Sequence, residues 1–440
     1  MLKAIDSLAK EFLELAKTLP VRIISHHDTD GITSATILSK TLKRLNIRFS
    51  LKIVKGLDEE TLIKELKRNS KEILIFSDLA SNSLNYFANL DLPIFILDHH
   101  EIDSSKLNPK IKIINPHLFQ EEEICGAGIC YLFSKALSNS NTDLASLAII
   151  GMIGDRHEET ITKLNKQIIN DTTDLQIKKG LLIFSATRPL RRSLEYSTSI
   201  YIPGVTGSSM GVLDMLRETN ISGEKNLCEL NEEEMSRLLT AIMLRRTKQE
   251  KKEEIIGNIY LLKFFNTIED VRELSVLINA CSRLGYSDVA IAFCLGNEKA
   301  KQQAQDIYVQ YKQQLVSALN LVEKIEKIKG NGFVIMNAKD EIKDTIIGTV
   351  TSMLSSSLDY EEGTILIGMA YNQDKIKVSA RIVGREGRNL KEVLEKIVLP
   401  FNGEVGGHQK AAGCLICKAQ EQEFIEALRK NLEIEVVKVQ

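Results

Sequence analysis

The chain has 440 residues, with 57 Lys+Arg against 59 Asp+Glu and a formal net charge of −2. That length implies two or three domains, and 43% hydrophobic with 26% charged residues is a globular balance that rules out wholesale disorder. Near-neutral charge excludes an all-over basic binder while leaving room for a local basic groove, and no apolar run approaches the ~18 residues that a membrane span needs.

The N-terminal MLKAIDSLAKEFLELAKTLP reads as a charged amphipathic helix without the apolar core of a signal peptide, so a cytoplasmic protein that does not use a membrane is expected. VRIIS (21–25) is a short strand. The helix after it carries Ala35, Ile37, Leu38, Leu42 and Leu45 on or near one face. RFSLKIVK (48–55) reads as a strand and LDEETLIKELKRN (57–69) as a helix. ILIFSD (73–78), PIFILD (93–98) and IKIINP (111–116) are three further strands. Continuous apolar strands separated by helices predict a parallel sheet covered on both faces. Such sheets bind ligands outside the carboxyl ends of their strands, where this chain puts its polar residues.

Residues 161–296 read as a mainly helical inserted region, with turns around YIPGVTGSSMG (201–211) and an apolar strand DVAIAFCLG (288–296) at its end. The charged stretch LRRTKQEKKEE (244–254) is most simply a solvated helix end. A long connector helix is expected over 297–330. Strands GFVIMNA (332–338), TILIGMAY (364–371) and KIKVSARIV (375–383) then open a smaller α/β module over 331–440. The fold class is thus α/β: a parallel-sheet domain over 1–160, a helical middle region, a connector helix and a smaller α/β C-terminal domain. The seven cysteines are scattered, which implies reduced thiols. Cys414 and Cys417 form a CxxC in a predicted strand, where alternation sends their side chains to opposite faces.

Histidine placement carries the chemistry. Four of the seven histidines form two doublets, each at a predicted strand end and each next to Asp, and none lies between 158 and 407. SHHDTDG (25–31) holds His26, Asp28 and Asp30 at i, i+2, i+4, a spacing that puts them on one side of an extended segment, with Gly31 allowing a tight turn into the helix. SDLAS (77–81) holds Asp78, LDHHE (97–101) holds Asp98, His99 and His100, and GMIGDRHE (151–158) holds Asp155 after an apolar helix. Taken singly, an Asp after a strand is a helix cap and a DHH is a surface turn. Four such clusters in one α/β domain point to a metal site, because that many carboxylates and imidazoles repel one another without cations. Mixed imidazole and carboxylate donors suit manganese, zinc, iron or cobalt better than calcium.

HxDxDG, SD, DHH and GD, in this order, resemble the four motifs of the DHH phosphoesterase superfamily. The resemblance implies two divalent cations, usually Mn2+ with Mg2+ or Co2+ as alternatives, and hydrolysis of phosphate esters or anhydrides. By the same resemblance His26 and Asp28 match ligands of one metal, Asp30 a ligand of the other and Asp78 the bridging carboxylate. His99 and Asp155 match further ligands. His100 matches a substrate-facing histidine and Asp98 the carboxylate that organises it. His27 matches no family role. GEVGGHQKAAG (403–413) resembles the GGHxxAAG loop of the DHH-associated C-terminal domain. There Gly406 and Gly407 would let a ligand approach the backbone, and His408, Ser379 and Arg381 would bind phosphate or sugar. VLINACSRLG (276–285) resembles a RecJ-type segment, with Ser282 in place of an expected Gly. Asn279 and Arg283 are candidate contacts to a nucleic-acid backbone; the alternative is a buried helix-capping network.

The layout is similar to archaeal RecJ-like proteins, which include a GINS-associated nuclease. The implied activity is exonucleolytic hydrolysis of single-stranded DNA or RNA in replication or repair, with GINS as a candidate partner. Aromatic residues are only 5% of the chain and Trp is absent, so binding is expected to lean on phosphate contacts and to weaken steeply with salt. Two rivals stand beside this reading. One is a phosphoesterase for dinucleotides or pAp-type short substrates, the other a replisome scaffold with little catalysis.

Overall fold

Five strands build the first sheet: β1 (Val21–His26), β2 (Phe49–Val54), β3 (Ile73–Ser77), β4 (Ile94–Leu97) and β5 (Ile111–Ile114). They pair in the order β2-β1-β3-β4-β5, and every pairing is parallel. All five carboxyl ends therefore share one edge. β3 and β4 are buried along their whole length and β1 along all but its last residue, which is why they read as unbroken apolar runs. The structure is a computed structural model and describes residues 1–57, 62, 71–87, 92–108, 110–197, 200, 202–246, 255–356, 359–384, 386–401, 403 and 405–433. The helix expected over 57–69 lies almost wholly outside these residues.

Helix α1 (Leu2–Ala16) buries Ile5, Leu8, Ala9 and Phe12. The Phe12 ring meets Phe95 and Phe133 edge-on at 5.4 and 5.6 Å. Helix α2 (Thr29–Arg44) is buried on nearly every side, packed against α3 (Gly126–Leu137) and α4 (Ala145–Gly154). Its sequence reads TDGITSATILSKTLKR because small hydroxyl side chains fit between close helices. Thr33, Thr36 and Thr41 satisfy their hydroxyls on the preceding turn of the same helix.

The middle region carries the expected helices α5 (Lys163–Asp171), α6 (Leu190–Glu195), α7 (Ser209–Thr219) and α8 (Glu232–Arg246). It also carries an antiparallel sheet that the sequence hides, β6 (Leu175–Leu181), β7 (Ile256–Phe264) and β8 (Thr267–Asp270). β6 is LQIKKGL with most of its residues exposed, and its partner arrives only at residue 256. Leu181, Ile259 and Leu261 join the helices in one core. Of the charged stretch 244–254, Leu244–Arg246 ends α8 and 247–254 lies outside the described residues.

Helices α9 (Val271–Arg283) and α10 (Ser287–Cys294) follow. The strand expected over 288–296 is therefore corrected to a helix. Ala290, Phe293 and Cys294 are buried at i, i+3, i+4, and a run this short satisfies either period. α9 packs back on α2 and α4.

Two compact units, Met1–Gln305 and Asp306–Gln440, divide the chain inside helix α11 (Glu298–Lys324). The helix stops short of the expected 330, because Lys327–Gly330 is a strand, β9. The second unit adds β10 (Phe333–Asn337), α12 (Asp344–Ser355), β11 (Ile365–Asn372), β12 (Lys375–Ile382), α13 (Leu390–Val398), β13 (Val405–His408), β14 (Ala411–Cys417) and α14 (Glu421–Glu433). Its mixed sheet runs β13-β14-β12-β11-β10-β9, with only β10 and β11 parallel. Val378 and Ala380 of β12 share a core with Leu394 of α13 and Phe424 of α14. On β14, Cys414 is buried and Cys417 exposed, as alternation requires.

Candidate metal centre

The centre starts where β1 ends. His26 is the last residue of the strand, Asp28 caps α2 by accepting from the Gly31 backbone N–H at 2.9 Å, and Asp30 sits in the first helical turn. The three residues thus meet across a strand-to-helix turn and not along an extended segment. Gly31 is needed for contact and not for turning, since a Cβ there would lie 2.3 Å from the His26 carbonyl oxygen. Ser25 and Ser77 bind each other across β1 and β3 at 2.8 Å, fixing the two strand ends beside the point where strand order reverses.

Asp78 follows β3 in the left-handed region, φ +57°, and Ala80 is left-handed as well. This backbone points the Asp78 carboxylate between two histidines. One oxygen lies 3.6 Å from His26 Nδ1 and the other 3.2 Å from His99 Nε2. His99 Nε2 is also 3.1 Å from Asp155 and 3.8 Å from Asp30. His26 Nδ1 is 2.9 Å from Asp28. The structure therefore brings together His26, Asp28, Asp30, Asp78, His99 and Asp155.

Backbone and buried polar groups hold this set in place. The Asp30 carboxylate accepts from the N–H groups of Gly126 and Ala127, at 2.6 and 2.8 Å, at the start of α3. Gly126 and Gly151 close that cradle, because a Cβ on either would come within 3 Å of an Asp30 oxygen. Asp98 is fully buried and accepts from the backbone of Ser81 and His99 and from His100 Nδ1, at 2.9, 2.8 and 2.7 Å. Burial opposes its charge, but His100 outweighs it and holds the carboxyl well below the usual range. Ionised Asp98 can only accept, so His100 Nδ1 is the donor.

Divalent cations fit these residues. His26 Nδ1 and both oxygens of Asp78 are buried without a hydrogen-bond partner, although each lies close to an opposite charge. Their lone pairs converge instead of pairing. Burial, with Asp78 and Asp155 nearby, pushes Asp30 well above the usual carboxylate range. Burial also lifts Asp155 to about 7, with repulsion from Asp78 and Asp28 set against the pull of His99. At His26 and His99 burial is overcome by the surrounding carboxylates, which raise both imidazoles well above their ordinary value. Acids that resist ionising and bases that resist losing protons are what a cation site looks like when protons alone supply the charge.

Asn279 and Arg283 lie one turn apart near the end of α9, half-buried, with Arg283 Nε donating to Asn279 Oδ1 at 3.1 Å. The His27 ring packs edge-on against His26 at 4.6 Å. Burial and the charges of His26 and Arg283 drive it down to about 3. In the second unit, Ser379 and Arg381 share one face of β12, opposite Gly348 of α12. Arg381 donates to Ser352 Oγ at 2.8 Å and to the Ala380 carbonyl at 2.7 Å. On β13, Gly407 has φ +123° and leaves no room for a Cβ beside Ala411, whereas the side of Gly406 is open. His408 is exposed.

Residues 20–152 match the DHH family, N-terminal domain, residues 183–259 the DHH-CID domain and residues 330–433 the DHHA1 domain. An uncharacterized protein of Methanocaldococcus jannaschii is 31% identical over 92% of this chain and 91% of its own length. The chain belongs to the DHH phosphoesterase superfamily. Among other DHH proteins, the single-stranded-DNA-specific exonuclease RecJ of Bacillus subtilis is 24% identical over 91% of this chain but only 44% of its own length. RecJ of Thermus thermophilus in complex with Mn2+ shares the fold at TM-score 0.62 and 16% identity, over 97% of this chain and 54% of that one. CDC45 from Entamoeba histolytica does so at TM-score 0.68 and 12% identity, over 98% and 99%. The chain thus spans about half the length of these two RecJ proteins. Among its described residues no helix is long and apolar enough to cross a membrane.

Some residues of this DHH centre escaped the sequence. Gly126 and Gly151 act through contacts that spacing does not encode. Asn115 donates to Ser81 Oγ and to the His100 carbonyl and braces the loop after β4, but it reads as an ordinary residue before Pro116. Apart from this centre, in the second unit, Lys377 lies two residues before Ser379 on the same face of β12, where strand alternation from Arg381 places it.

Proposed function

We propose that the protein is a divalent-metal-dependent exonuclease that hydrolyses phosphodiester bonds of single-stranded DNA or RNA. The convergence of His26, Asp28, Asp30, Asp78, His99 and Asp155 on one strand-end edge carries this reading. His26 and Asp28 would hold one ion, Asp30, His99 and Asp155 the other, with Asp78 shared between them. When bound, such ions act as Lewis acids on the scissile phosphate and acidify a water to near neutral pH, and Mn2+ suits the mixed donors.

The remaining roles belong to the chain itself. Asp98 fixes the His100 ring so that its imidazole orients the phosphate or assists proton transfer. Asn279 and Arg283 in the first unit, and Ser379, Arg381, His408 and the Gly406–Gly407 backbone in the second, contact phosphates and sugars. Membership of the superfamily and similarity to RecJ support a nucleic-acid substrate. A cytoplasmic role in replication or repair, with GINS as partner, belongs to the same reading. Retention of GINS by the purified protein tests that association.

The deciding experiment incubates pure protein with Mn2+ and single-stranded DNA or RNA labelled at each end in turn, with Asp78→Ala as control. A mononucleotide ladder from one end, lost in the variant, is expected. Cleavage of dinucleotides alone would replace the reading with a short-substrate phosphoesterase. No cleavage at all would replace it with a scaffold.

A further inference from the structure

We propose that His157 is a further metal ligand, on the ion that His99 and Asp155 hold, and that it makes this half of the centre favour a transition ion over magnesium. The inference rests on the two-metal reading above.

Three observations carry it. First, α4 ends at Gly154 and the chain turns at once into a short 3-10 helix, His157–Glu159. Arg156 between them takes a left-handed conformation, φ +61°. A non-glycine residue adopts that conformation rarely, and here it brings position 157 back beside position 155. Second, His157 Nε2 lies 3.9 Å from the Asp155 oxygen that is itself 3.1 Å from His99 Nε2. The His157 and His99 rings are 5.8 Å apart, and the His157 side chain is only 11% exposed. Third, one ligand atom each from His99, Asp155 and His157 falls within 4.8 Å of the other two. An ion held at about 2.1 Å sets neighbouring ligand atoms about 3 Å apart and opposite ones about 4 Å apart. Both contacts made by Asp155 fit that pattern.

The consequence is chemical. With Asp30, Asp78 and Asp155 alone beside His99, this half would present mostly oxygen, the donor magnesium prefers. A second imidazole shifts the preference to ions that bind nitrogen well, such as manganese, cobalt or zinc.

The test uses the full chain and calorimetric titration with Mn2+ and, separately, Mg2+, on wild type, His157→Gln, His157→Ala and Asp155→Ala. In the His157 variants the affinity of one Mn2+ site is expected to fall about tenfold, while Mg2+ affinity moves less than about twofold. Equal losses for both ions, or no loss, would overturn the assignment while leaving the two-metal reading intact. A wild type that binds neither ion, with Asp155→Ala no different, would overturn that reading and the assignment with it. Should the His157 variants fail to fold, cobalt-loaded wild type answers instead. Three strongly shifted imidazole N–H signals in its proton NMR spectrum, one each from His26, His99 and His157, are expected, and two would overturn the proposal.

Discussion

The strand-end edge of the first unit and the polar face of β12 in the second both gather ionisable groups, under opposite physical conditions. At the first, Asp30 and Asp78 are about 1% exposed, and the Asp78 oxygens have no hydrogen-bond partner. Left-handed backbone at Asp78 and Ala80, and N–H donors at the start of α3, hold these groups where they repel one another. At the second, Arg381 is half-buried and its guanidinium donates to Ser352 Oγ and to the Ala380 carbonyl. The first arrangement is complete only with added positive charge. The second is complete in water and offers its charge to whatever docks. Removing a group should therefore change metal binding and stability at the first, and substrate affinity alone at the second.

Asp78→Ala strains this contrast hardest. Mn2+-dependent hydrolysis should fall about a thousandfold, the scale of losing a charge-positioning group. In chelator the variant should melt no lower than wild type, because the repulsion of Asp78 on Asp30 and Asp155 is relieved as its contacts to His26 and His99 are lost. Melting curves with and without Mn2+ check both, and a lower metal-free melting temperature would break the idea of a site strained by its own charge. Gly151→Ala keeps every ligand yet sets a methyl 2.6 Å from an Asp30 oxygen and 2.5 Å from Ala127 Cβ. Calorimetry should show Mn2+ binding weakened about tenfold; unchanged binding would remove Asp30 from the ligand set. Arg381→Ala should raise KM for an oligonucleotide several-fold and lower the salt slope by about one. Its Mn2+ affinity should match wild type, and a change there would erase the distinction between the two regions. Arg44→Ala breaks a pair with half-exposed Asp143, 2.6 Å away in the first unit. Urea denaturation should register only about 0.5 kcal/mol, separating the effect of burial from that of location.

The sheet and its ligands were legible because strands buried on both faces stay apolar until they end, so His26, Asp78 and Asp98–His100 mark the strand ends. Asp155 was legible because an apolar helix stops there. Local geometry was less so. The i, i+2, i+4 spacing of His26, Asp28 and Asp30 suggested extended chain, yet the helix begins within it, since Asp28 is a good cap. DVAIAFCLG reads as a strand because its seven apolar residues carry no decisive period. β6 was illegible for a different reason. It has almost no buried face of its own and exists through pairing with β7, some eighty residues on. The glycine cradle around Asp30 is legible only in three dimensions.

Thr29 donates from Oγ1 to the Ser275 carbonyl at 2.8 Å, joining the turn that carries Asp28 and Asp30 to a helix 246 residues further along the chain. Leu274, Leu277, Ile278 and Cys281 of that helix are buried, and it covers parts of α2 and α4. A fragment severed near residue 160 would retain His26 through His157 and lose this cover, leaving the backs of α2 and α4 open to water. The smallest piece that can hold the chemistry is thus much longer than the stretch that spells it out.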